Sequence, residues 1–249
     1  MSMSLLVFMF VAALGAIIGS FLNALSFRFN TGRSMGGRSR CMHCRHELAA
    51  ADLVPIFSYL FLRGKCRYCH ARISSQYPLV EGTALVLAVF TYISHPDPAS
   101  FAFWFVVWMI LLFSVIYDIR HTIIPWSCSL SLIALAFLYV LSHEPSFFDF
   151  LAGPLLALPL FTISLLSWGR WMGWADGVLE LSLGWLLGLA VGFTALVLAF
   201  WSGAIVGTLL LLVKKRYTMK SEIPFAPFLI LGAAVAHFFH VDFFSAIQW

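Results

Sequence analysis

Four cysteines and two aspartates are the residues of this chain best placed to do chemistry. Cys41-Met-His-Cys44 and Cys66-Arg-Tyr-Cys69 form two C-x2-C pairs with 21 residues between them. Two-residue spacing lets one tight turn offer two thiolates, and four thiolates complete a tetrahedral shell for zinc. The same spacing serves redox dithiols, which is the competing reading. The segment around the pairs is too polar and too small to fold on an apolar core alone, so a metal is expected to staple it. A shell already full at four sulfurs, in a cytosolic loop, favours structural zinc. His43, His46 and His70 are spare donors nearby and read as solvated surface, while Cys128 stands alone in an apolar stretch and reads as packing.

Asp118 closes one apolar run, in Tyr117-Asp-Ile-Arg-His-Thr-Ile-Ile-Pro125, and Asp176 opens another, in Met172-Gly-Trp-Ala-Asp-Gly177. Charged residues inside or at the edge of a membrane helix are functional candidates by default. Two aspartates that share a proton do the chemistry of aspartic proteases. The ionised one activates water, and the protonated one donates to the substrate carbonyl. On the residues alone, each aspartate reads equally well as a helix cap. Three further acids are candidates for substrate binding. Glu81 could take a basic substrate segment or residues of the metal loop, or be a favourable charge in a first helical turn, and Glu222 has the same ambiguity. Glu180 lies four residues after Asp176 on the same helical face, where it either tunes the pair or packs as a protonated side chain.

The elements that must position these residues are membrane helices. The chain has 249 residues, 61% of them hydrophobic and only 10% charged, with a mean hydropathy of +0.93. Too few charges are present to solvate a water-facing surface, so lipid must cover most of it. A nucleic-acid partner is not expected. The apolar runs are continuous rather than alternating, which argues against a membrane barrel. The expected fold is all-α and polytopic, with about eight transmembrane helices and a small cytosolic zinc-ribbon-like loop domain. Expected spans are 4–27, 78–94, 99–117, 126–142, 150–168, 175–189, 191–213 and 225–244. The first is read as a retained helix, since Met1–Leu6 holds no Lys or Arg. Nine of the fifteen basic residues lie between Arg28 and Arg72, and Arg120, Arg170 and Lys214-Lys215-Arg216 mark further cytosolic turns. Asp118 and Asp176 are separated by two crossings, so both fall on the cytosolic side. The expected domains are a first helix over 1–27, a cytosolic metal-binding loop over 28–77 and a membrane core over 78–249. No internal repeat is evident. Gly184, Gly188 and Gly192, spaced by four, suggest a close helix contact, and His237 and His240 are expected to share a helix face.

Taken together, the motifs resemble those of the bacterial type IV prepilin peptidases. Gly19-Ser-Phe-Leu-Asn23 is similar to that family's opening motif. The run from Ser39-Arg-Cys41 through Cys66-Arg-Tyr-Cys69 to Ile73-Ser-Ser-Gln-Tyr-Pro-Leu-Val-Glu81 resembles its cytosolic zinc segment. Asp118 followed by Ile124-Pro125 resembles its first catalytic motif, and Ile223-Pro-Phe-Ala-Pro-Phe-Leu229 its penultimate loop. The resemblance implies an aspartyl endopeptidase of the bacterial inner membrane, with Asp118 and Asp176 catalytic and Cys41, Cys44, Cys66 and Cys69 binding structural zinc. It implies type IV prepilins or the pseudopilins of type II secretion as substrates, cut after a short basic leader. It also implies N-methylation of the new N-terminus by S-adenosylmethionine. Two positions depart from the pattern. The second motif usually reads Gly-x-Gly-Asp, but here Ala175 precedes Asp176, and strain is expected if that position needs positive φ or close backbone approach. Asn30 stands where the family has Pro. A membrane scaffold with a zinc-ribbon interaction loop, and a methyltransferase that has lost proteolysis, are the alternatives.

Overall fold

The computed structural model describes residues 5–31, 37–143, 146–213 and 223–244. Its helices are α1 (Leu5–Ser26), α2 (Phe57–Phe61), α3 (Gln76–Ser94), α4 (Pro98–His121), α5 (Trp126–Ser142), α6 (Phe147–Leu166), α7 (Trp174–Val213) and α8 (Ala226–Phe238). Five of them, α1, α3, α4, α6 and α7, are long and apolar enough to cross a membrane, and α5 and α8 are shorter apolar helices. Among the described residues the only extended pairings are two isolated bridges, Arg40 with Glu47 and Lys65 with Arg72. The protein is an all-α, polytopic membrane protein. Lys214, Lys215, Arg216, Lys220 and Glu222 lie outside the described residues.

Helix α7 carries 40 residues. That is about 60 Å of helix, twice the hydrocarbon thickness. It breaks at Gly188, with φ 75° and ψ 173°, a conformation open to glycine and costly for any residue with a Cβ. The two crossings expected after Arg170 are therefore the limbs of α7. Gly188 is the break and faces open space, so only two of the three spaced glycines serve a helix contact. A Cβ on Gly184 would fall 2.8 Å from Gly153 Cα, and one on Gly192 would fall 2.6 Å from Leu156 Cδ1. The last helix is shorter than expected. It ends at Phe238, and His240 follows in the left-handed region at φ 51°, so His237 and His240 do not share a helix face. The amide of Phe243 leaves the helical ladder and donates instead to Thr194 Oγ1 at 2.9 Å.

Two compact units make up the chain, Met1–Ile116 and Tyr117–Trp249. In the first, α1 packs along α3 through small residues. A Cβ on Gly15 would stand 2.7 Å from Ala84 O, and one on Gly19 would stand 2.7 Å from Ala84 Cβ. In lipid, such close backbone approach replaces the hydrophobic drive available in water. Asn23, wholly buried, accepts from Gln76 Nε2 at 2.8 Å. Gly19 and Asn23 of the opening motif thus lock α1 to α3.

In the second unit α7 packs against α5, α6 and α8. Pro154 lies inside α6 and has no N–H to give the carbonyl of Phe150. Trp185 Nε1 of α7 supplies the missing donor at 3.0 Å. An unpaired carbonyl would be costly at this depth, so a side chain from the neighbouring helix makes the proline tolerable.

Candidate active site and metal centre

The metal segment is two copies of one knuckle. In the first, Cys41 N–H donates to His46 O at 2.9 Å and Arg45 N–H donates to Cys41 O at 2.9 Å. In the second, Cys66 N–H donates to Ala71 O at 2.8 Å and His70 N–H donates to Cys66 O at 3.0 Å. Arg45 (φ 60°) and His70 (φ 57°) take the left-handed conformation at equivalent points. A short internal repeat therefore exists where none was expected. The backbone repeats while the side chains, cysteines apart, do not.

The four sulfurs lie within 4.8 Å of one another, and Cys41 Sγ stands 3.8 Å from Cys69 Sγ. A zinc–sulfur bond of about 2.3 Å gives a tetrahedron with an edge of about 3.8 Å. The donor set and its dimensions therefore fit one zinc ion. All the cysteines are free thiols. The backbone amide of Cys44 holds the Cys41 thiol down at about 6 against the opposing effect of burial. The amide of Ala71 works the same way on Cys69, but burial and three neighbouring thiols outweigh it and push Cys69 up to about 11. Thiols this close compete to keep their protons, and a divalent cation would relieve that competition.

The histidines stay out of the cluster. His46 instead lies against Tyr68, with ring centroids 3.7 Å apart. Asp52 ties the second knuckle down, accepting from Arg67 Nε at 2.7 Å and from Tyr68 Oη at 3.0 Å. Buried Glu81 of α3 accepts the amide of Ile56 at 2.6 Å. Of its possible roles, contact with the metal loop is the one the structure displays. Ile56 sits at φ 63°, an uncommon conformation for a β-branched residue, held in place by this bond.

Asp118 lies inside the last turn of α4 rather than in a loop beyond it. Helix α4 stops at His121, and Thr122 turns the chain at φ 53° with its amide on Asp118 O at 2.7 Å. Pro125 then caps α5. The amide of Ala226, at the first position of α8, donates to the Asp118 carboxylate, and Asp118 Oδ2 is buried with no hydrogen-bond partner. Asp176 sits in the first turn of α7, where its Oδ2 accepts the amide of Gly173 at 3.2 Å. That bond is one half of a capping box and leaves the second oxygen outside the cap. Asp176 is therefore a helix cap and also a partner to Asp118, because the two carboxylates lie within electrostatic reach of each other. Both are buried, at 5% and 8% exposure. One turn further along α7, Glu180 is wholly buried and neither of its carboxyl oxygens has a partner.

Residues 13–95 match the family described as Bacterial Peptidase A24 N-terminal domain. Over 206 residues the chain is 32% identical to the prepilin leader peptidase/N-methyltransferase of Aeromonas hydrophila, covering 80% of this chain and 70% of that one. The chain belongs to the prepilin leader peptidase/N-methyltransferase family. It is also 33% identical over 207 residues to the Stutzerimonas stutzeri protein of that name, with 80% and 70% covered. The Burkholderia pseudomallei (strain 1026b) protein of that name is 30% identical over 268 residues, with 94% and 86% covered. No solved structure matches the chain.

In this prepilin-peptidase chain the matched segment takes in most of α1, both knuckles and α3, and the aspartates lie beyond it. Ala175, the departure from the family's second glycine, belongs to the first turn of α7 and is not among the residues of positive φ. Strain from a positive φ does not arise there. The glycine that packing requires here is the next one along. A Cβ on Gly177 would stand 2.6 Å from Phe161 Cδ1. Sequence reasoning also missed the Ala226 amide, which no side chain could announce, although the prolines flanking it at 224 and 227 mark a helix start.

Proposed function

We propose that this chain is an aspartic endopeptidase that removes the basic leader from type IV prepilin or pseudopilin precursors at the cytosolic face of the bacterial inner membrane. Asp118 and Asp176 are its catalytic pair, and Cys41, Cys44, Cys66 and Cys69 hold one structural zinc. Within it, residues 28–77 form the metal-binding loop that follows the first helix, and 78–249 carry the peptidase core. The single observation that carries the reading is the pairing of Asp118 with Asp176. Two spans separate them in sequence, yet they are buried within electrostatic reach, each with one oxygen tied to a backbone amide. Those amides fix the carboxylates in place, while Asp118 Oδ2 is buried with no protein hydrogen bond of its own and is the oxygen left to engage water or substrate. One carboxylate then orients and deprotonates water as the other protonates the scissile carbonyl. The names of the relatives support prepilin as the substrate and N-methylation as a second activity. S-adenosylmethionine is the donor such a transfer requires. The described residues hold no Gly-rich loop set against a helix N-terminus to take its adenosyl group, and we propose no site for it.

The test is Asp118→Asn and Asp176→Asn in the purified full chain, incubated with a pilin precursor and scored by the mass lost with the leader. Each is expected to abolish cleavage while expression and zinc content stay at the parent level. The double variant should be no worse than either single one, because groups acting as a unit are not additive. Full cleavage by either single variant would end the reading.

A further inference from the structure

The metal segment carries an apolar ridge that neither the knuckles nor the aspartates use. Leu53, Val54, Phe57, Leu60 and Phe61 recur at intervals of three and four, which sets them on one side of α2 and the turn before it. They are 41%, 44%, 61%, 63% and 84% exposed. An apolar ridge of this kind is rare on a surface that meets water. It is not spilled core. On the other side of α2, Tyr59 packs over Gly64, whose added Cβ would fall 3.0 Å from Tyr59 Oη.

Two fastenings aim the ridge. Glu81 of α3 holds the Ile56 amide, and Leu53 and Pro55 line a cleft with Ile17, Phe21 and Ala24 of α1. Ile17 stands about 14 Å back from the end of α1 at the helical rise per residue. It and Phe21 are 56% and 59% exposed on a helix apolar enough to cross the membrane. The segment therefore folds back along the lipid-facing side of α1, and the ridge continues that side. The surrounding charge has one sign. Both acids between Arg28 and Arg72 are taken up by arginines, Glu47 by Arg38 and Arg40 and Asp52 by Arg67. Exposed Arg63, Lys65 and Arg67 follow the ridge directly.

We propose that Leu53–Phe61 is an interfacial membrane anchor whose partner is anionic lipid of the cytoplasmic leaflet. Phe57, Leu60 and Phe61 sit at the boundary of headgroups and acyl chains, and Arg63 and Lys65, which no acid of the segment takes up, meet the lipid phosphates. The anchor presses the metal segment against the bilayer. The same positive charge would repel a protein partner that arrives with a basic segment.

The test uses the full chain in nanodiscs of phosphatidylethanolamine with phosphatidylglycerol, with Phe61→p-benzoylphenylalanine as the photoreactive probe. Ser58→p-benzoylphenylalanine, on the half-buried side of α2, is the control. After irradiation, intact mass reads each adduct, and retained zinc content reports folding. Lipid adducts are expected to dominate at position 61 and to be scarce at position 58. In phosphatidylcholine discs the yield at position 61 should fall about fivefold, the effect of one basic residue beside an anionic surface. Equal lipid adducts at the two positions overturn the proposal, as does a crosslink at position 61 to an added pilin precursor in place of lipid. A yield at position 61 that ignores lipid charge strikes out its electrostatic half.

Discussion

Gly177→Ala adds one methyl group beside Asp176, and its effect can be worked from the packing. The new Cβ would stand 2.6 Å from Phe161 Cδ1 and 2.7 Å from Cε1. Carbon atoms rest about 3.5–4.0 Å apart, so ring or helix must give by about 1 Å. The ring is not free to retreat without loss, because it packs on Trp174 at a centroid distance of 4.7 Å. Overpacking of this order costs about 1–3 kcal/mol. Breaking the ring pair adds about 0.5–1.5 kcal/mol, and replacing a helical glycine by alanine returns about 0.5–1 kcal/mol. The net expectation is a loss of about 0.5–4 kcal/mol, centred on about 2, with the first turn of α7 pushed from α6 and Asp176 carried with it. Thermal unfolding of the detergent-purified protein should show a clear drop in Tm, and precursor cleavage should slow more than the stability loss alone explains. Phe161→Leu removes the ring edge, so the double variant should recover most of the stability lost by Gly177→Ala. A Gly177→Ala protein with unchanged Tm and cleavage, or a double variant no better than the single one, would refute the packing argument.

Ala175→Gly, which restores the family residue two positions earlier, should lower helix stability by about 0.5–1 kcal/mol and bring no gain in cleavage, since Ala175 has no positive φ to relieve; faster cleavage in a direct comparison with the parent protein would contradict this. Cys44→Ser or Cys69→Ser should abolish the single bound zinc in elemental analysis, and a strong chelator should make residues 38–72 of the parent protein protease-sensitive; full metal content in either variant would count against a four-sulfur site. Glu81→Ala strips the Ile56 amide of its carboxyl acceptor, at a cost of about 1–3 kcal/mol for a part-buried donor left unsatisfied. Limited proteolysis should then cut first near Val54–Phe57, and an unchanged cleavage pattern would show that the bond does not hold the loop.

The spans were legible because apolar runs of membrane length leave few alternatives. The break in α7 was legible by parity, since Arg170 and Lys214 were expected on one side and the 40 helical residues between them are too many for one crossing. The cysteine spacing marked the four sulfurs that the fold brings within 4.8 Å of one another. What stayed hidden depends on backbone geometry, which sequence does not print. Gly184, Gly188 and Gly192 look alike in sequence, yet one is a break and two are contacts, because only the φ and ψ of Gly188 differ in kind. The knuckle repeat lies in hydrogen bonds and left-handed residues rather than in side chains. Trp185 reads as an ordinary apolar residue until the carbonyl orphaned by Pro154 is found opposite it. Asp176 posed a choice between cap and partner, and its two oxygens allow it to be both.

The amide that anchors Asp118 belongs to Ala226, far downstream in the chain. During synthesis Asp118 and Asp176 enter the bilayer well before α8 leaves the ribosome. Until α8 docks, Asp118 lacks that donor, and the pair is held from one side only. A nascent chain would therefore carry its two acids through most of its insertion with the centre unfinished. Under the proposed function, maturation then becomes a late event, timed by arrival of the helix that begins at Ala226 rather than by the aspartates themselves.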